Sequence, residues 1–300
     1  MLPAFLVLFG ILAYGLSNVC WKPIIAGCSM ITALLIRSIF TILVMAGIAI
    51  ACRFLPSGIL FKRMFFQHAA DWKQSVLPAV FSILLSLLGL TLFIYSVNFT
   101  PVGISGLLIC CSALISAFLA WLIRGEAVPV FQIIAFILAI SGVLLLDDTH
   151  AYKETSVKGL SLALGGAVCW GFANLGFKKY IPALGTLPFS ILQETIVTIV
   201  MLLLAAMKLH HNREKQKQLQ LMPKPFKLIL LVSFCTVVGV YCTNLGMSRL
   251  PVIFFSLLVL VQPVTTLAVA RLWLKEKLTF RQQIGCILVI TGVFTGMIQP

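Results

Sequence analysis

Charge of one sign is scarce in this sequence. Of 300 residues only eight are acidic, against 22 lysines and arginines, and charged residues make up 10% of the chain. A water-soluble domain carries roughly a quarter charged residues, so this balance excludes an ordinary soluble fold. Metal-site spacing is missing too. No C-x-x-C occurs, and the histidines His68, His150, His210 and His211 fall in polar connections. Most of the nine cysteines lie inside apolar runs, where a thiol acts as a small packing group. Neither a disulfide framework nor a metal site is expected. No H-E-x-x-H or G-x-S-x-G occurs, and Gly171–Lys178 misses the phosphate-loop pattern because Phe177 separates Gly176 from Lys178. The sequence therefore offers no ATPase site, no catalytic constellation and no cofactor, and an enzyme is not expected.

What the chain has instead is apolar length. It is 61% hydrophobic, with a mean hydropathy of +1.10. Ten apolar stretches are predicted to be helices, over 3–21, 29–51, 74–97, 101–123, 128–147, 157–178, 186–207, 227–248, 251–273 and 279–298. Each is long enough to cross a hydrocarbon layer of about 30 Å. The fold class is thus an all-α polytopic membrane protein. The first stretch has no basic leader and carries Ser17 and Asn18 late, which reads as an uncleaved helix. The net charge of +14 resides in the connections. In such a protein it speaks to anionic lipid and orientation, with no nucleic-acid partner expected.

Residues 128–143 read VPVFQIIAFILAISGV, and residues 278–293 read LTFRQQIGCILVITGV. At the same offset of 150, Gly89 matches Gly239, Pro101–Val102 matches Pro251–Val252, and Glu126 matches Glu276. Gln132 matches Gln282, and Gly142–Val143 matches Gly292–Val293. At an offset of 156, Gly15, Asn18 and Lys22 match Gly171, Asn174 and Lys178. The longer polar connections, 52–73 and 208–226, each follow the second helix of a half. The chain reads as two five-helix repeats, residues 1–150 and 151–300. Because five is odd, the second repeat is expected upside down relative to the first. Inverted repeats of this kind point to transport, with a substrate site near the midplane.

The same residues carry a resemblance. Pro101–Val102, Leu107–Leu108, Ala120, Gly125–Glu126, Gln132 and Gly142–Val143 in the first half resemble the EamA-type repeat of the drug/metabolite transporter superfamily. So do Pro251–Val252, Leu257–Leu258, Gln262–Pro263, Ala270, Lys275–Glu276, Gln282 and Gly292–Val293 in the second. Two departures stand out: Ser112–Ala113 where the second half has Gln262–Pro263, and Lys275 where the first has Gly125. The resemblance implies ten helices, with helices 1, 3, 4, 6, 8 and 9 lining a cavity and helices 5 and 10 packed at one side. Ala135/Ala139 and Gly292/Gly296 would let helices 5 and 10 approach closely.

Candidate site residues follow. Arg37 and Glu194 are the charged residues well inside predicted spans, each near the ninth residue of the second helix of its half. Each costs roughly 2.5–3.5 kcal/mol to insert at a helix centre, so each should face protein or water. Two readings stay open: a structural ion pair, or a proton site at Glu194 with a substrate carboxylate on Arg37. Tyr14 and Asn18 on helix 1 align with Trp170 and Asn174 on helix 6, an aromatic four residues before an amide on one face. Substrate binding or interhelical hydrogen bonding would account for them. Tyr95, Asn98, Tyr241, Asn244 and Gln262 extend that set. Pro263 should kink helix 9. Lys22 and Lys178 are expected at helix C-termini, where they would complement the dipole or bind an anionic group. Glu126 and Glu276 are read as acids opening the next helix, a structural role.

These observations and the resemblance imply a secondary transporter or exchanger of a small polar metabolite, amino acids or amino-acid-like compounds foremost, working by alternating access. Exchange of nucleoside-type or nucleotide-linked metabolites is the alternative. A lipid flippase or a non-transporting membrane subunit follows. The expected partners are the substrate, the bilayer and a coupling proton, for a monomer or homodimer in a bacterial inner membrane. With the termini cytoplasmic, the cytoplasmic connections hold eight lysines and arginines and the opposite ones thirteen. That count favours the reverse orientation, whereas the first half and the resemblance favour cytoplasmic termini, which we take as the expectation.

Overall fold

The computed structural model describes residues 2–54, 72–96, 99, 102–146, 156–211, 225–274 and 279–297. Among these the chain forms eleven helical segments and no strand. They are α1 (Leu2–Gly27), α2 (Met30–Phe54), α3 (Trp72–Ser96), α4 (Val102–Arg124), α5 (Val130–Leu145), α6 (Val157–Leu184), α7 (Thr186–His211), α8 (Phe226–Arg249), α9 (Val252–Val259), α10 (Gln262–Leu274) and α11 (Phe280–Met297). Eight stretches among the described residues are long and apolar enough to cross a membrane, and two shorter apolar ones, Cys110–Arg124 and Val130–Leu145, complete ten spans. An α-helix satisfies its backbone internally, which a hydrocarbon solvent requires. Serine and threonine hydroxyls inside the spans do likewise: Thr41, Thr91, Ser116 and Thr236 each bond the carbonyl four residues earlier. Large apolar side chains cover the outside, Phe81 at 68% exposure and Phe294 at 60% among them. Such a surface suits lipid and would drive association in water.

The ninth span is broken. α9 ends at Val259, Leu260 and Val261 turn with bonds to the carbonyls three residues back (3.2 and 3.1 Å), and α10 begins at Gln262. Pro263 is the cause. Its ring clashes with the carbonyl four residues earlier and it has no N–H to offer. The counterpart α4 has Ala113 at that place and runs unbroken. The expected kink is thus a full interruption.

Several helices run past their predicted ends, two of them by more than a turn. α1 continues to Gly27 and α6 to Leu184. Gly185 (φ 87°) then closes α6 through a 2.8 Å bond to the Ile181 carbonyl, and Thr186 already opens α7. A positive φ suits glycine, which has no Cβ to clash. Gly125 (φ 64°), just past the end of α4, also has a positive φ.

The packing comes in pairs that exchange the two halves of the chain. α3 lies along α6, and α1 along α8. α4 lies along α6, and α1 along α9 and α10. α2 meets α7, and α5 meets α11. The detail repeats too. A Cβ on Gly142 would stand 2.6 Å from the Gly285 oxygen and the Val289 nitrogen; one on Gly292 would stand 2.7 Å from the Ala135 oxygen and the Ala139 nitrogen. Each residue of one contact lies 150 positions from its partner in the other. The small residues expected to bring helices 5 and 10 together do meet there. Gly89 likewise presses on Gly166 and Trp170, as Gly239 presses on Tyr14. The main core gathers Val7, Ile11, Ile83, Phe177, Phe189, Ile253 and Leu257 from both halves.

Candidate functional site

Arg37 on α2 and Glu194 on α7 meet across the two halves. The Arg37 Nη2 donates to Glu194 Oε2 at 2.8 Å, with the side chains 11% and 3% exposed. α2 and α7 enter the core at matching points, so residues 157 apart face each other. Among the described residues the pair is held by this one bond, and the buried Arg37 Nε has no hydrogen-bond partner. Hydroxyls line its flank. Thr198 donates to the Ser38 hydroxyl at 2.9 Å, and Thr41 donates to the Arg37 carbonyl.

Polar groups continue from there into the bundle. The Tyr14 hydroxyl lies near the Thr243 side chain and within electrostatic reach of both Glu194 and Arg37. Its ring lies over Gly239, where a Cβ would come within 2.8 Å of it. The buried Asn244 Nδ2 donates to Ser190 Oγ at 3.0 Å and to Gln193 Oε1 at 3.3 Å. α1, α2, α7 and α8 thus share one polar seam around the ion pair. In a low-dielectric interior such groups are held by their partners, because leaving any of them unpaired is costly.

A second group is duplicated. On α1, Asn18 Nδ2 donates to the Thr266 hydroxyl at 3.2 Å; on α6, Asn174 Nδ2 donates to the Ser116 hydroxyl at 2.9 Å. Thr266 and Ser116 each bond the carbonyl four residues earlier, that of Gln262 and of Ser112. Asn18 and Asn174 stand 156 apart, and Ser116 and Thr266 stand 150 apart. The two copies differ in exposure. Asn18 is exposed and Thr266 half-buried, while Asn174 is half-buried and Ser116 has no exposed surface. Trp170 is half-buried, its ring 6.3 Å from that of Phe93.

Other expected residues are placed differently. Tyr95 is 60% exposed and joins neither group. Tyr241 packs with Met45, Val237 and Val240 beside the ion-pair seam. Gln262 is half-buried at the start of α10, and its carbonyl takes the Thr265 and Thr266 hydroxyls. Asn98 and Glu276, and the side chain of Lys22, lie outside the described residues. Lys178 is not at the end of its own helix. It sits in α6, and its ammonium donates to the carbonyls of Met247 (3.1 Å), Ser248 (3.2 Å) and Leu250 (2.7 Å) at the C-terminus of α8. Glu126 likewise serves another helix. Its carboxylate accepts the Ile253 N–H at the start of α9 (3.2 Å) and pairs with Arg124 at 3.2 Å. Residue reading missed Ser116, Thr266, Thr243, Ser190 and Gln193. Only Ser116 and Thr266 left a signal, as hydroxyl residues in register at the repeat offset.

Ten apolar helices, halves exchanged in their contacts and polar groups buried between them define an integral membrane transporter. The chain belongs to the EamA-like transporter family, whose model matches residues 1–146 and 157–297. It is similar to a protein of Escherichia coli (strain K12) described as "Probable amino-acid metabolite efflux pump", 27% identical over 209 residues, 67% of this chain and 70% of that one. It is also similar to the "Uncharacterized transporter YvbV" of Bacillus subtilis (strain 168), 25% identical over 217 residues, 69% of this chain and 68% of the other. A crystal structure described only as that of a protein superposes with a TM-score of 0.71 at 14% identity, covering 99% of this chain and 96% of that chain. That likeness establishes the fold alone.

Proposed function

We propose that this protein is a secondary transporter of small polar metabolites, amino acids or amino-acid-like compounds first among them, working by alternating access of two inverted halves. The observation that carries the reading is the duplicated amide–hydroxyl pair, Asn18–Thr266 and Asn174–Ser116. Two equivalent polar stations, one exposed and one closed, suit a pathway that offers the same chemistry to either side in turn. The printed description of the Escherichia coli relative supports the amino-acid class. The engagement of Lys178 by three carbonyls weighs against the nucleotide-linked alternative, which needs a free ammonium for its phosphate.

In this reading the Arg37–Glu194 pair lies where the halves rock against each other. Glu194 carries the coupling proton, leaving and rejoining Arg37 as the conformation changes. The protein works in a bacterial inner membrane with both termini cytoplasmic. The test is uptake and counterflow in proteoliposomes over a panel of amino acids, nucleosides and nucleotide-like cofactors, with and without a pH gradient. Saturable amino-acid flux that follows the gradient, with Glu194→Gln losing only the gradient dependence, is expected. Flux indifferent to both makes the protein an exchanger and Glu194 structural. Absence of saturable flux for every amino acid refutes the substrate class.

A further inference from the structure

Lys178 and Glu126 hold one short stretch of chain from two sides. Between α8 and α9 the link turns at Leu250 and Pro251. Its incoming carbonyls, on Met247, Ser248 and Leu250, end on the Lys178 ammonium. Its outgoing N–H, on Ile253, ends on the Glu126 carboxylate. The three N–H groups of one ammonium are thereby matched by three acceptors, and Arg124 steadies the carboxylate from the far side. These groups also cross the halves: Arg124 and Glu126 come from the first, Lys178 and the link from the second.

The position of this clamp along the pathway is set by counting spans. α4, α6 and α8 all end on the membrane face where α1 begins. Gly246 confirms it, since a Cβ there would meet the Pro3 carbonyl at 3.1 Å. Lys178 lies one turn beyond Asn174, so the clamp stands directly outside the closed amide–hydroxyl pair. The equivalent pair near the other face, Asn18–Thr266, is the exposed one. Closure of the pathway and the clamp therefore coincide at one face.

We propose that Lys178 and Glu126 form the gate that seals the face where α1 begins, and that transport requires this clamp to release the α8–α9 link. They are positioning residues: neither needs to touch substrate. The inference rests on alternating access, and it explains why a long apolar stem carries a lysine to a set of backbone carbonyls. Those carbonyls are the end groups of α8, the acceptors a helix leaves unsatisfied, and a cation there is favourable. Releasing them costs charge-assisted bonds, so the clamp biases the protein toward the state described here.

The experiment measures distance, not flux. Spin labels at Ile123→Cys on α4 and Arg249→Cys on α8, whose exposed side chains take no part in the clamp's bonds, report separation of the halves at this face in the full chain in nanodiscs, in a background with the native cysteines replaced. A dominant short distance is expected for the unsubstituted clamp. Lys178→Met and Glu126→Leu should each shift the ratio of long to short distances roughly tenfold toward the long one, and Lys178→Arg should retain the short one. Unchanged distributions in both variants overturn the gate. If Lys178→Met fails to insert, Glu126→Leu decides by itself. A protein that keeps one distance whatever amino acid is added, and in every variant, refutes alternating access as well. Two distances that respond to substrate but not to the variants refute only the clamp.

Discussion

The crossing of α5 and α11 yields a prediction that tests the exchange of halves directly. Gly142 and Gly292 occupy equivalent places in it, each facing backbone of the opposite helix. An alanine at either would bring its Cβ to 2.6–2.7 Å of a carbonyl oxygen and an amide nitrogen. Backbone atoms cannot rotate aside as a side-chain tip can, so the helices must move apart. Forcing a methyl into a packed contact costs about 1–3 kcal/mol. Against this, alanine gains roughly 1 kcal/mol over glycine as a helix former. Gly47 on α2 separates the two effects, because a Cβ there meets nothing within 4 Å. Gly47→Ala should leave stability level or slightly raised. Gly142→Ala and Gly292→Ala should each fall below it by about 1–3 kcal/mol, and by equal amounts. Equilibrium unfolding of the purified protein in mixed micelles, titrated with a denaturing detergent, gives these differences. The reasoning fails if either seam variant tracks Gly47→Ala, or if the two differ from one another by more than about 1 kcal/mol.

Three further outcomes follow from other contacts. Glu194→Leu leaves the Arg37 guanidinium buried alone and should cost about 3–5 kcal/mol, whereas Arg37→Met with Glu194→Leu should recover most of it; the same unfolding titration reads both. Under the proposed function, Asn18→Ala and Asn174→Ala should raise the KM for an amino-acid substrate by similar factors, since each removes one member of a duplicated pair; an effect confined to one of them would break the equivalence. Pro263→Ala restores the N–H that the ninth span lacks and should join α9 to α10 in one helix, seen as slowed amide exchange at Leu260–Val264; unchanged exchange would place the cause of the interruption elsewhere.

The fold was largely legible in the residues, for two reasons. Apolar length locates spans regardless of what they pack against, and matched Gly, Pro, Glu and Gln at fixed offsets expose a repeat. The pairing of Arg37 with Glu194 was also within reach, because two lone charges in apolar helices need each other. Helix ends were not. Lys178 and Lys179 mark where hydropathy falls, yet α6 continues to Leu184, since a helix can outlast its apolar stretch when its lysine finds carbonyls on a neighbour. The role of Glu126 was hidden for the same reason. An acid beside Arg124 suggests the helix that follows it in sequence, while the N–H it satisfies belongs to Ile253, 127 residues away. Hydroxyl partners such as Thr243 and Ser190 were invisible, because a serine or threonine inside a span most often bonds its own helix, as both also do here.

The single residue between α6 and α7 carries a mechanical meaning. With only Gly185 between them, these two helices turn directly into one another, and the rings of Phe177 and Phe189 meet across the bend at 5.1 Å. Lys178 stands seven residues before the bend and Glu194 nine after it, about 10 Å along one arm and about 13 Å along the other by helical rise. Under the proposed alternating access, a movement that frees the Lys178 ammonium from the α8 carbonyls would, wherever the bend keeps its angle, also shift the Glu194 carboxylate on the other arm, so that backbone as well as side-chain contacts connects the two.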